Sequence, residues 1–388
     1  MRPAEAAHAR NAGLQVLRAV AALAVVLFHA GAKLPANAGF DAFKQVVFFG
    51  FAGVDIFFVV SGYVVTWTAM RIQSGPDARS FVLRRLGRIY GGYWPVLAVC
   101  ALLPIVGVSA LHPGGQWLPS VLLVEPDMER NVLPVAYTLV YELWFYALLT
   151  MAMVCVKTTS GRRRLLIVSA ALLILWQVAL MWVDFTLWRS GQYPFSFLMS
   201  GLLLEFLAGA LIYLFHDDLG PAARRFVGGV LLAVGVLALV EFWTLFGLTL
   251  VRAAIGGAIG AGALLLALST PATRSPSDEK GWWHRLGDAS YSLYLLHTLV
   301  LAAVATLAQT VAPVSIRMSV LVAAVGVVLS VFGARIWYRC VERPLYRGWC
   351  AWLETHGATR RHSGRVREPA TVKPTATPPR TPASRSEG

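Results

Sequence analysis

The chain of 388 residues is 57% hydrophobic and only 14% charged, a composition too apolar for a soluble globular protein. Its formal net charge of +14 is spread over several loops and the C-terminal segment, which argues against the compact basic surface of a nucleic-acid-binding protein. The 4 cysteines have no paired metal-type spacing, so we expect no metal and no bound cofactor.

About ten apolar segments are each long enough to cross a bilayer, and they predict an all-α polytopic membrane protein. Lys and Arg concentrate in alternate loops, for example at Arg84 and Arg85 after the second segment and at Arg162 and Arg163 after the fourth. By the positive-inside rule both termini face the cytoplasm, as expected for a multi-pass protein of the bacterial inner membrane. The predicted segments are 14–32, 45–68, 90–108, 135–156, 165–184, 195–215, 226–246, 250–269, 288–308 and 317–338.

The organisation along the chain is simple. We predict a cytoplasmic N-terminal segment at 1–13, one membrane domain at 14–347 and a cytoplasmic tail at 348–388. The tail is rich in Arg, Thr, Pro and Ser and lacks the apolar content to bury a core, so we expect it to be largely disordered. Any catalysis must therefore take place within the membrane domain or at its edge.

Arg18 and His29 both lie in the first apolar segment, where polar side chains are costly and are candidates for function. Their separation of eleven residues is about three helical turns, so they share one face and lie about 16 Å apart. These two depths suit a donor with an anionic head at the cytoplasm and a reactive thioester on a flexible arm, as in a coenzyme A ester. The alternatives are a snorkelling anchor for Arg18 and a structural, hydrogen-bonded histidine for His29.

The second segment contains an acid and a hydroxyl, Asp55 and Ser61, in an otherwise apolar helix. Gly53 and Gly62 permit close helix approach, but tight packing would not require Asp55. The loop before the third segment then ends in a basic cluster whose guanidinium groups can bind phosphates. As an isolated charge run this cluster is also explained by topology alone. It consists of Arg84, Arg85 and Arg88.

Further polar side chains lie in the later segments. Glu142 of the fourth is predicted at the depth of His29, where it would orient the histidine or share acid and base work with it; an unrelated hydrogen-bonded glutamate is the alternative. Tyr291 and His297 lie in the ninth segment. The triplet at 342–344 contains a proline and is interpreted as the cap that ends the tenth helix. Three more costly charges have no assigned role, although the last two are placed to pair across a short loop: Glu205, Glu241 and Arg252.

Taken together, these segments resemble the acyltransferase-3 family of membrane O-acyltransferases, and within it the exopolysaccharide-production (ExoZ-type) branch. Arg18 through His29 fits the family pattern R-x10-H, Phe57 through Gly62 fits FFxxSG, and Arg85 to Arg88 fits RxxR. The order and spacing of the blocks, from about residue 13 to 347, make the set specific. Blocks at 133–139 leading into Glu142, at 290–297 and at 342–344 are also similar.

The resemblance implies a ten-helix fold and transfer of an acyl group, usually acetyl, from acyl-CoA as co-substrate to a hydroxyl of a cell-surface or exported polysaccharide. Partners would be this glycan, the lipid bilayer and polysaccharide-assembly proteins, with no nucleic acid. Two departures are Gly91-Gly92, where relatives often have proline, and Tyr137, where they often have tryptophan. The functional positions that the resemblance implies are Arg18, His29, Ser61, Arg85 and Arg88.

We therefore expect His29 and Glu142 to be catalytic, with His29 acting as general base or as acyl carrier. Donor-binding residues would be Arg18, Arg85, Arg88 and Ser61, and supporting residues Asp55, Tyr291 and His297.

A transporter or flippase of a lipid-linked glycan is the main rival, since intramembrane charges also mark substrate paths. The sequence shows no repeated halves and no matching pair of broken helices, which disfavours it. A third interpretation keeps the enzyme and makes the acceptor a small molecule or a lipid.

Overall fold

The computed structural model describes residues 3–34, 41–108, 114–183, 200–241, 249–269, 281–311 and 315–356. The regular structure in these ranges is entirely helical, which confirms the predicted all-α class. The helices are α1 (Pro3–Gly31), α2 (Asp41–Phe48), α3 (Ala52–Ala69), α4 (Gly75–Leu102), α5 (Trp117–Leu122), α6 (Tyr137–Cys155), α7 (Thr159–Val183), α8 (Leu202–Phe215), α9 (Pro221–Glu241), α10 (Thr249–Leu268), α11 (Trp282–Asp288), α12 (Ser290–Val311), α13 (Ile316–Trp337) and α14 (Arg343–His356).

Eight helical segments among the described residues are long and apolar enough to cross a membrane, so the protein is a multi-pass membrane protein. Each of the ten predicted segments overlaps a helix. The helices at the fifth and sixth positions, α7 and α8, are not among the eight. Helix α8 has 14 residues, which span only about 21 Å. Ten spans and two cytoplasmic termini therefore stay predictions.

Several predicted boundaries move. Helix α4 begins at Gly75, well before the predicted start of the third segment at residue 90, because Ser74 and Asp77 form a capping box. The basic cluster is therefore helical and does not lie in a loop. Helix α1 begins at Pro3, inside the predicted N-terminal segment, and α14 continues past residue 347 to His356. The rest of the predicted tail lies outside the described residues.

Helix α3 lies at the centre of the bundle, and glycines allow its neighbours to approach closely. A Cβ atom at Gly62 would lie 2.0 Å from the carbonyl oxygen of Phe206 in α8, and one at Gly209 would lie 1.9 Å from that of Val59. Gly53 faces the carbonyl oxygen of Ala21 in α1 at 2.3 Å in the same way. Any larger residue would push these helices apart, so the glycines set the position of α3.

Arg162, near the start of α7, joins this helix to the C-terminal ends of α3 and α6. Its side chain is 2% exposed and donates to the carbonyl oxygens of Met70 (3.1 Å), Ile72 (2.7 Å), Met153 (2.7 Å) and Val156 (2.7 Å). Carbonyl groups at helix C-termini lack intrahelical donors and carry partial negative charge, so one guanidinium group satisfies the ends of α3 and α6 together. The sequence indicated only a cytoplasmic loop cation here.

We expect Arg162→Met to lower the stability of the protein by about 3 kcal/mol, because four buried carbonyl groups lose a charged donor. Thermal unfolding of the purified protein in detergent measures this. The matched control is Arg164→Met, which removes an exposed arginine of the same run and should leave the melting temperature close to that of the wild type. Equal melting temperatures for the two variants would contradict the role assigned to Arg162.

Candidate active site

A cavity of about 430 Å³ lies between α1, α3, α4, α6, α12 and α14. One end is basic, the middle is polar and the far end is aromatic. The basic end is lined by Arg18, Arg84, Arg85, Arg88 and Tyr346; the middle by Ser61, Glu142, Tyr146 and Tyr291; and the far end by Phe57, Phe58, Thr138 and Tyr294.

Among the charged side chains that line the cavity, four are arginines and one is a glutamate, so positive charge is in excess in the lining. Arg85 donates to the hydroxyl of Thr68 at 2.8 Å and stands over the rings of Phe81 and Tyr146, 5.5 Å from each centroid. Arg88 and Arg18 are close enough to interact with each other. Such a cluster of cations in a concave site is suited to a phosphorylated ligand.

Acidic groups, most of them outside the lining, offset this charge. Asp288, Glu342 and Glu142 interact with Arg18 and Arg88. Arg84 is the outermost cation of the cluster, and it pairs at 3.3 Å with Glu354 of α14, which is itself 65% exposed. Exposed pairs of this kind contribute little to stability, so Arg84 remains available to a ligand at the entrance.

Glu142 does not lie where the sequence placed it. It accepts hydrogen bonds from Ser61 Oγ, at 2.9 Å, and from the hydroxyl group of Tyr146. Among the described residues, no hydrogen bond joins Glu142 to His29, although we expected this contact from the sequence. Glu142 thus belongs to the middle of the cavity, on the side of the arginines.

The segment before α6 explains this shift. Residues 117–122 fold back against the middle of α4, where Tyr90, Tyr93 and Trp94 donate side-chain hydrogen bonds to the carbonyl groups of Leu122, Ser120 and Val121. Helix α6 therefore begins inside the bundle and not at its surface.

His29 has a second histidine as its polar neighbour. The Nδ1 atom of His29 lies 2.9 Å from the carbonyl oxygen of Val25 and 3.2 Å from Nε2 of His297. The Nδ1 atom of His297 lies 3.1 Å from the carbonyl oxygen of Leu293, and its side chain is fully buried. From the sequence alone we expected only a supporting role for His297.

These contacts favour one arrangement of protons. A carbonyl oxygen only accepts, so Nδ1 of His297 donates to Leu293 and its Nε2 is left as an acceptor. Nδ1 of His29 then donates to this Nε2 and to the carbonyl oxygen of Val25. This tautomer leaves Nε2 of His29 with a lone pair, as a general base or a nucleophile requires.

Tyr294 lines the cavity and also contacts the histidine pair. The hydroxyl group of Tyr294 lies 3.0 Å from Thr138 Oγ1 and donates to the carbonyl oxygen of Val135 at 2.9 Å. Its ring centroid is 6.1 Å from that of Phe57 and 6.0 Å from that of His297. The cavity therefore ends against the ring that contacts His297.

Two sequence interpretations are corrected here. Asp55 does not line the cavity but pairs with Arg252 at 3.3 Å, so the partner of Arg252 is Asp55 and not the predicted Glu241.

Glu342 does not cap a helix that ends there: residues 338–342 form a π-helical turn that leads into α14. Its carboxylate accepts a 2.5 Å hydrogen bond from Ser292. Such turns frequently occur at functional sites.

Tyr291 is held at the cavity wall by a 2.9 Å hydrogen bond from its hydroxyl group to the carbonyl oxygen of Ile89. A Cβ atom at Gly92 would lie 2.3 Å from the Tyr291 ring. The glycine that departs from the family pattern thus makes room for this ring.

A family model for acyltransferase-3, described as an acyltransferase domain, matches residues 11–338. The Rhizobium meliloti (strain 1021) protein named "Exopolysaccharide production protein ExoZ" is 28% identical over 324 residues, which cover 77% of this chain and 90% of that protein. A Staphylococcus aureus (strain COL) protein named "Putative O-acetyltransferase" is 34% identical over 102 residues, 26% of this chain, and the match spans only 14% of that protein. No solved structure matches the chain. With the family model covering most of its length, the chain belongs to the acyltransferase-3 family.

Proposed function

We propose that the protein is an O-acyltransferase of the bacterial inner membrane, which moves an acyl group, expected to be acetyl, from acyl-CoA to a hydroxyl of an exported or cell-surface polysaccharide. One observation carries the proposal: a cavity with excess positive charge at one end stops one aromatic ring away from a histidine pair. The names of the two relatives, which refer to O-acetyl transfer and to exopolysaccharide production, agree with it.

The donor would enter at the basic end. Arg18, Arg85 and Arg88 would bind the phosphates of acyl-CoA, since guanidinium groups form charge-assisted hydrogen bonds to phosphate oxygens. The flexible arm would then lie along the middle of the cavity, past Ser61 and Glu142. The thioester would reach the far end, where Tyr294 must move aside before the carbonyl group meets His29.

The chemical step is written for the general-base route. Nε2 of His29 takes the proton of the acceptor hydroxyl as its oxygen attacks the thioester carbonyl carbon. The C–S bond breaks, and the departing thiolate receives the proton from His29, so no net proton is consumed. In the carrier route, the same nitrogen attacks the thioester carbonyl carbon and the C–S bond breaks to release the thiolate; the acceptor hydroxyl then takes the acyl group from this nitrogen, and its proton passes to the thiolate. In both routes His297 and the carbonyl oxygen of Val25 hold His29 in the required tautomer.

Transfer of radiolabelled acetyl from acetyl-CoA to glycan tests the reaction. In membranes with matched expression, we expect His29→Ala to lose at least about 100-fold in transfer, the usual contribution of a general base. Arg88→Ala should raise the KM for acetyl-CoA, because it removes a phosphate contact. Arg164→Ala, remote from the cavity, is the control.

Label that is unchanged in His29→Ala and Arg88→Ala would contradict the proposed site. Absence of label in all samples, with a lipid-linked glycan still crossing the membrane, would favour the transporter. Label found on a small molecule or a lipid would keep the enzyme and change the acceptor.

The role of His297 predicts a separation between kcat and KM. We expect His297→Phe to lower kcat by roughly 10-fold with little change in the KM for acetyl-CoA, because Nδ1 of His29 loses one of its two acceptors and the ring is then held by the carbonyl oxygen of Val25 alone. His297→Gln, whose side-chain oxygen can accept the same hydrogen bond, should recover part of this loss. Equal kcat values for the two variants would show that His297 does not act through this bond.

A further inference from the structure

A second group of charges lies in the bundle, apart from the cavity. Asp55 of α3, Glu205 of α8 and Arg252 of α10 meet where these three helices contact each other, and none of them lines the cavity. The side chains of Asp55 and Glu205 are fully buried. Charged side chains inside a membrane-spanning bundle are energetically costly, so each of them is a candidate for a function.

The backbone of α10 makes room for the carboxyl group of Asp55. A Cβ atom at Gly256 would lie 2.7 Å from Cγ of Asp55, and one at Gly257 would lie 3.9 Å from Cγ of Glu205. Two consecutive glycines therefore face the two acids. A side chain at Gly256 would displace the carboxyl group of Asp55, so this is a built site and not a chance gap.

The hydrogen bonds of the group are unevenly shared. Arg252 uses Nε and Nη2, each at 3.3 Å, on the same oxygen of Asp55, Oδ1. The other oxygen of Asp55 and both oxygens of Glu205 are buried and have no donor among the described residues. The two carboxyl groups nevertheless contact each other. Two carboxylates can only accept, so this contact lacks a hydrogen.

Among the described residues, the charges of the group do not sum to zero. Two carboxylates and one guanidinium carry one net negative charge, and the described titratable neighbours of Arg252, the hydroxyl groups of Tyr137 and Tyr141, add no positive charge. An uncompensated negative charge is very unfavourable in an apolar interior. One additional positive charge would both neutralise the group and supply the missing donor.

We propose that this group is a binding site for a single proton, held on Glu205 and shared with Oδ2 of Asp55. Asp55 remains the carboxylate because Nε and Nη2 of Arg252 both donate to it. A proton fits this site better than Mg²⁺, since Mg²⁺ takes about six oxygen ligands in octahedral geometry and the guanidinium group of Arg252 already lies against Asp55. The protonated group is a neutral connection from α3, which carries Phe57 and Ser61 of the cavity wall, to α8 and α10.

Infrared spectroscopy of the purified protein at neutral pH, without any acyl donor, tests this directly. A protonated carboxylic acid has a carbonyl stretching band that carboxylates lack and that shifts on exchange into ²H₂O. We expect this band in the wild type and in Glu129→Gln, which changes an exposed glutamate. It should be lost in Glu205→Gln. A wild type without the band, or a band that persists in Glu205→Gln, would overturn the proposal.

Asp55→Asn gives a sharper outcome. Without the Asp55 charge, Glu205 is the carboxylate left to neutralise Arg252, so it should ionise and the band should also be lost, although Glu205 is still present. A band retained in Asp55→Asn would show that Glu205 does not respond to the charge of Asp55.

Thermal unfolding keeps the proposal testable if a variant is unstable. The amide of Glu205→Gln can donate to Oδ2 of Asp55 as the bound proton does, so its melting temperature should stay near that of the wild type, whereas Glu205→Ala, without a donor, should melt clearly lower. Equal losses in Gln and Ala would contradict a proton at this site. Neither measurement depends on acyl transfer, so its outcome is separate from that of the proposed function.

Discussion

The cost of holding charge inside an apolar bundle governs where the ionisable side chains of this protein lie. Arg162 is enclosed because carbonyl groups at two helix ends surround its guanidinium group. Arg252 is held by Asp55. Arg18 and Arg88 interact with Asp288, Glu342 and Glu142. These two arginines line the cavity described above, where four arginines and one glutamate face the interior, and this excess of positive charge in the lining suits an anionic ligand.

Close packing of α3 against its neighbours fixes where its polar side chains lie. Glycines on α3 and α8 let the two helices touch backbone to backbone. One face of α3 then presents Ser61 and Phe57 to the cavity, while Asp55 points to α8 and α10. The same helix thus serves two polar sites that do not share residues. A proton bound at one of them would stabilise the helix that forms the wall of the other.

Position along the helices separates the arginines from the histidine pair. Arg84, Arg85 and Arg88 lie on the half of α4 that follows its capped start, and His297 lies one turn further along α12 than Tyr294. Under the proposed function, a donor anchored by its phosphates at the arginines would need a long arm to reach the histidines. Tyr294, which is fixed by Thr138 and the carbonyl oxygen of Val135, lines the cavity on the side of His297.

The sequence by itself determined the helical class, most of the spanning segments and the identity of the cavity cations, because apolar run length and the order of Arg18, His29, Arg85 and Arg88 are local properties of the chain. Only the tertiary structure decided which polar groups meet. Glu142 lies with Ser61 and Tyr146 because the segment at 117–122 folds back and sets the start of α6 inside the bundle. His297 contacts His29, and Asp55 contacts Arg252, across 268 and 197 residues of sequence. Such pairs depend on how deep each helix lies relative to its neighbours. Glycine contacts and irregular turns set this depth, and the hydrophobic pattern of the sequence does not encode it.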